Sequence, residues 1–214
     1  MITLNSQYFS GLRSEYAKLL SYIDHLSYNE VVQQLESNLP FLWTDFYESQ
    51  SERLCNIFVI HRGGFDFIFD EIDSLIAQGI LPDDANLSSR IVAAYGKSAP
   101  KISKRDDSRL RGWVGSTEKV YGKAWDKGHF IAHSIGGAVE GMELNVFKQK
   151  RELNRGWSEE GKLFRKMEEF CFQNAGTFCY CRPLYNDQSD FPSVIEFGLL
   201  KPNNELWVEF FDNL

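Results

Sequence analysis

Residues 126–157 read DKGHFIAHSIGGAVEGMELNVFKQKRELNRGW, and the way this stretch folds decides the C-terminal half of the chain. GWVGSTEKVY (112–121) and KAWDKGHFIAH (123–133) are expected to be strands joined by a turn. KRELNRGWSEEGKLFRKMEEFCFQ (150–173) has helical spacing, with Leu163, Phe164, Met167 and Phe170 on one side. Downstream, FCYCRPLY and SVIEFGLL read as strands, the second paired with ELWVEFF across Lys201-Pro202-Asn203-Asn204. Strands, then a helix, then strands predict an α+β fold with an antiparallel sheet and a C-terminal hairpin.

Upstream the pattern changes. Leu12, Tyr16, Leu19, Leu20 and Ile23, and then Val31, Val32, Leu35 and Leu39, recur at three- and four-residue spacing up to Pro40, which predicts two or three helices between Ser10 and Ser51. NIFVIH (56–61) reads as a strand or a buried helix end before Gly63-Gly64, and FDFIFDEIDSLIAQG (65–79) as a further helix stopping at Gly79. Residues 96–112, GKSAPKISKRDDSRLRG, are polar and basic without periodicity. They suggest a boundary between a mainly helical accessory or regulatory region, 1–99, and a second domain, 100–214.

Charge divides the chain in the same place. Residues 1–99 hold 6 Lys and Arg against 13 Asp and Glu, net −7, whereas residues 101–166 hold 15 against 9, net +6. Positive charge concentrated around the opening stretch suits a polyanionic backbone, with a plain solvated surface as the alternative. Four cysteines in 214 residues make no disulfide framework. The N-terminal MITLNSQYFSGLRSEY has no basic segment followed by an apolar run, and no apolar stretch is long enough to cross a bilayer. A cytoplasmic protein without membrane contact is expected, export without a signal peptide being the alternative.

Two residues in the stretch carry chemistry. His129 follows Gly128, where a glycine leaves room for a phosphate or an unusual backbone angle, and its ring could activate water; a core histidine is the alternative. Asn154 opens the expected helix, either as its N-cap or as an amide oxygen ligand for magnesium. A general base, a hard cation and a string of Lys and Arg together point to hydrolysis of a phosphodiester.

The order Asp126, Lys127, Gly128, His129, Gly136-Gly137, Asn145, Gln149, Asn154, Gly156, Trp157 resembles the DNA/RNA non-specific endonuclease family, with its ββα-metal, or His-Me finger, active site. The resemblance covers about residues 105–214. It implies a largely sequence-non-specific Mg2+-dependent endonuclease, with Mn2+ as a substitute, acting on DNA and on RNA. His129 would be the general base, Asn154 the metal ligand, Asn145 and Gln149 supports, and Asp126 a holder of the motif loop. Lys127 stands where the family has arginine, so the charge is kept and the bidentate fork lost. The family's helical glutamate would fall near Gly161 or Lys162, and Glu160 is the nearest substitute. Arg105, Arg109, Arg111 and Arg155 are the candidates for the scissile phosphate. A toxin or defence effector is in keeping with this site, held in check by an inhibitory, immunity or regulatory partner through residues 1–99, or by those residues themselves lying over the basic site.

Two rival readings belong to other classes. His129, His133, Cys179 and Cys181 could form a structural zinc site, although a Cys-x-Cys spacing is less typical than Cys-x-x-Cys. A nuclease-like scaffold weakened at Lys127 and at the displaced glutamate could serve as an interaction module.

Overall fold

A computed structural model describes residues 6–23, 25–84, 87–100, 122–137 and 144–214. Two helices come first, α1 (Ser6–Ser21) and α2 (Tyr28–Gln50). Pro40 does not end α2 but lies inside it. The buried stripe Val31, Val32, Leu35, Leu39 and Trp43 runs unbroken to either side, and burying those side chains outweighs the ~3 kcal/mol that an interior proline costs.

Strands β1 (Ile57–Arg62) and β2 (Phe65–Asp70) form a hairpin turned by Gly63 and Gly64, both at positive φ. NIFVIH is therefore a strand. FDFIF, expected to be helical, is also one: Phe65, Phe67 and Ile68 are buried between layers, and only the short α3 (Asp73–Ala77) follows. Phe65 and Phe67 go to one core and Ile68 to the other, and periodicity does not separate a strand with apolar residues on both faces from a helix. Strand β3 (Arg90–Lys97) then enters the sheet's centre.

The sheet order is β1-β2-β3-β6-β7-β8, antiparallel throughout, with β6 (Phe178–Leu184), β7 (Val194–Leu200) and β8 (Leu206–Asp212) as the C-terminal strands. The fold is α+β, with the expected C-terminal hairpin turned through Asn204 at φ 62. The pairing of β3 with β6 carries the sheet across the boundary expected at 99/100, so residues 1–99 supply half of its strands.

Alternation sends side chains to two cores. On one face Tyr95, Phe178, Tyr180 and Leu200 pack under α1 and α2. On the other, Cys179, Cys181, Ile195, Phe197 and Leu199 pack under a second layer. That layer is the ribbon of β4 (Trp125–His129) and β5 (Val146–Lys150), with α4 (Arg151–Asn154) and α5 (Glu159–Gln173). The helices α1 and α2 therefore lie on the opposite side of the sheet from the described residues 126–137 and 144–157 and do not cover them.

Buried polar contacts bind α1 and α2 to the sheet. Glu196, with no exposed surface, accepts hydrogen bonds from Tyr16 (2.5 Å), Tyr180 (2.9 Å) and Arg182 (2.7 Å), and Trp43 donates to the Tyr16 hydroxyl at 3.0 Å. Removing one partner of such a buried pair costs about 3–5 kcal/mol, because the remaining charge is left uncompensated. The fragment 100–214 is accordingly expected not to fold alone, and its circular dichroism should show no cooperative urea transition. A cooperative transition would show that the C-terminal half is self-sufficient.

Candidate active site

The ribbon pairs Asp126 with Gln149 and His129 with Val146, and α4 follows β5 without a break. The helix expected from 150 to 173 is in fact two: Gly156 takes φ 69 and Ser158 caps α5 by accepting the Gly161 N–H at 3.0 Å. Asn154 thus ends one short helix and does not cap the next, which removes the capping reading of this residue.

A cleft of about 270 Å³ opens between ribbon and helices. Lys127, His129 and Gln149 line it from the ribbon, His133 and Ser134 from the 3₁₀ turn His133–Ile135, Asn154 from α4, and Arg165 and Glu168 from α5. His129 and Asn154 therefore share one cavity. Gln149 is 1% exposed and its Nε2 has no hydrogen-bond partner among the described residues, leaving a donor that an anion or water in the cleft would satisfy.

Asp126 organises this wall. Arg155 grips its carboxylate with Nε at 2.6 Å and Nη2 at 3.1 Å, Arg151 donates at 3.0 Å, and Asn154 Nδ2 donates at 3.4 Å. Holding the amide by its nitrogen leaves its oxygen as the atom free to ligate. Burial pushes the Asp126 carboxyl up, but the hydrogen bonds from Arg155, Arg151 and Asn154 outweigh burial and hold it below the usual carboxylate range.

The segment after His129 is pinned from the residue just before β5. Asn145, 4% exposed, accepts the Ile131 N–H and donates to the Ile131 carbonyl, both at 2.8 Å. The glycines answer to packing: a Cβ on Gly137 would overlap the Ile131 carbonyl, and one on Gly128 would overlap Gln149 Oε1. Gly128 is not among the positive-φ glycines, so the space it leaves is filled by Gln149 rather than kept for a phosphate.

Other expected residues lie elsewhere. Glu160 is exposed in the first turn of α5 and does not line the cleft, because its side of that turn faces solvent while Gly161 faces inward. Glu168 lines it instead, two turns further along the inward face shared with Gly161 and Phe164. A glutamate on an apolar stripe was the signal that could have revealed it. Burial raises the Glu168 pKa, opposed by Arg165, whose Nη1 donates to Glu168 at 3.0 Å. Arg155 has its fork engaged by Asp126 and rests 5.0 Å from the Trp157 ring, so Arg165 is the arginine in the cleft among the described residues. Arg105, Arg109 and Arg111, and the strand expected at 112–121, lie outside the described residues.

The zinc reading fails on placement. Cys179 and Cys181 sit in the core on β6 with no exposed surface, whereas His129 and His133 line the cleft. Among the described residues no three His, Cys, Asp or Glu stand where they could hold a metal. Asn154 and Glu168 bring an amide oxygen and a carboxylate to the cleft lining, the kind of oxygen donors that magnesium takes alongside its waters.

No family model matches the sequence, and no curated protein matches it. Among solved structures, the Sda1 nuclease with bound zinc ion is similar at 13% identity over 78% of this chain and 80% of that one, with a TM-score of 0.36. That likeness is too distant to assign an activity. Among the described residues no helix is long and apolar enough to cross a membrane.

Replacing Asp126 by asparagine should cost about 2 kcal/mol at neutral pH by urea denaturation, since two arginines lose their charged acceptor. The folded-state pKa lies below the unfolded value of about 3.9, so this stabilisation is complete above the unfolded value and is lost as pH falls below it and through the folded-state pKa. The difference between wild type and Asp126→Asn should therefore shrink in acid; a constant difference would contradict this origin.

Proposed function

We propose that this chain is a metal-dependent endonuclease of the ββα-metal type that hydrolyses phosphodiester bonds of DNA and of RNA with little regard to sequence. The observation that carries the reading is one cleft lined by both His129 and Asn154, with the Asn154 amide held at its nitrogen by Asp126. The order β4, β5, α4 supports it, as do the cations Lys127 and Arg165 beside these two residues.

His129 takes a proton from water as that water attacks phosphorus in line with the leaving 3′ oxygen. Asn154, with Glu168 beside it, would hold the metal, and magnesium bound there would supply charge neutralisation at the phosphate oxygens and the leaving oxygen. Lys127 attracts the phosphate as a point charge, and Arg165, anchored on Glu168, presents a planar fork. Phosphate contacts carry no base identity, hence the weak sequence preference. Glu168, which lines the cleft from α5, takes the place expected of Glu160.

A cytoplasmic nuclease needs restraint. With α1 and α2 across the sheet from the cleft, shielding by these two helices has no geometric support. A separate inhibitory or immunity partner docking on those helices, as for a toxin or defence effector, stays with the proposal; Tyr22 and Phe41 stand 77% and 76% exposed there.

Purified protein with magnesium or manganese should degrade plasmid and RNA, and EDTA should stop it. His129→Ala should lower the rate by about 10²–10⁴-fold with the melting temperature unchanged. Asn154→Ala should slow cleavage and raise the metal concentration required. Cleavage that survives His129→Ala would refute the assigned base.

A further inference from the structure

Beside the cleft runs a second groove of about 450 Å³ along the outer face of α5. The two share Ser134, Arg165 and Glu168 in their walls, so they adjoin. Lys162 and Lys166, one helical turn apart, stand along it, and Phe172, 37% exposed, closes its far end. Its size falls within the ~300–1,000 Å³ of clefts that take small ligands.

We infer that this groove binds the nucleotide next to the scissile phosphate, a subsite that rests on the nuclease reading of the cleft. Each acidic neighbour has a partner of its own: Glu168 accepts Arg165, Glu169 accepts Gln173 at 2.7 Å, and Glu159 accepts Lys162 at 2.5 Å. The Lys162 pair is solvent-exposed, and such pairs are weak enough for a phosphate to displace the carboxylate. Lys166 lies 5.9 Å from the Trp207 ring and keeps its ammonium at the surface. Two ammoniums ask for negative charge without fixed geometry, and the ring edge of Phe172 offers an apolar platform to a base or sugar. Among the described residues the groove is lined by cations, carboxylates, the Ser134 hydroxyl and one ring, with no amide side chain to read a base edge, which fits a subsite that takes any base.

The occupant is a single-stranded or locally unstacked nucleotide, because a base still inside a duplex cannot lie against Phe172. Lys162, Lys166 and Phe172 lie outside the cleft lining, so changing them leaves His129, Asn154 and Arg165 in place.

The test compares two substrates for wild type, Lys162→Ala/Lys166→Ala and Phe172→Ala, with the melting temperature of each recorded. One is single-stranded DNA. The other is bis(p-nitrophenyl) phosphate, a phosphodiester with no nucleotide to reach the groove. Both variants should raise KM for single-stranded DNA by about tenfold with little change in kcat, while hydrolysis of the small diester stays at the wild-type rate. Binding of a fluorescent single-stranded oligonucleotide in EDTA should lose about 1–2 from its salt slope in the double lysine variant. An unchanged KM for DNA, or an equal fall on both substrates, overturns the subsite. Wild-type protein that hydrolyses neither substrate overturns the nuclease reading, and the subsite with it.

Discussion

The carboxylate of Asp126 receives hydrogen bonds from Arg151, Asn154 and both ends of the Arg155 fork. These contacts join β4 to α4, two elements with little apolar surface of their own to hold them: α4 buries only Leu153. They also fix the side of Asn154 that faces its partner, and with it the side left to the cleft. A charge-assisted cluster of this kind is stronger than neutral hydrogen bonds and more directional than packing. The geometry of the cleft wall therefore rests on one anion in the right place.

Behind that wall the six-stranded sheet acts as a rigid floor, and it is built from both ends of the chain. Strands β1 to β3 come before the basic segment and β6 to β8 after it, so the ribbon and its helices are carried on a sheet that residues 1–99 help to make. Glu196 and Arg182 inside that sheet reach Tyr16 and, through it, Trp43. The acidic N-terminal helices are thus a structural layer. Among the described residues α2, with Glu30, Glu36, Asp45 and Glu48 and no Lys or Arg, lies on one face of the sheet, and the cleft with Lys127 and Arg165 on the other.

Much of the candidate site was legible because its residues are close in sequence. Asp126, His129, Asn145, Gln149 and Asn154 lie within a single stretch whose order has a recognisable pattern, and the C-terminal hairpin announced itself through alternation and a turn. Glu168 was hidden because its contribution depends on where α5 begins: a helix started at Lys150 gives its face a different phase from one capped at Ser158. FDFIF was misread because Ile68 and Phe69 follow Phe67 without a polar residue between them, which blurs the alternation that marks strands. The role of Arg155 could not be read either, since nothing local says that a fork will be spent on a carboxylate 29 residues away. Gly128 taught the same lesson on a smaller scale, the space above it belonging to a side chain from the neighbouring strand.

The account stands or falls on whether the Asn154 oxygen faces a metal. Titrating 15N-labelled protein with manganese and following the side-chain amide of Asn154 and the ring of His129 by NMR tests this directly. Paramagnetic broadening of both signals, reversed by EDTA and much weakened in Asp126→Asn, is the predicted result. Sharp signals for both residues under manganese that broadens other parts of the protein would contradict the account.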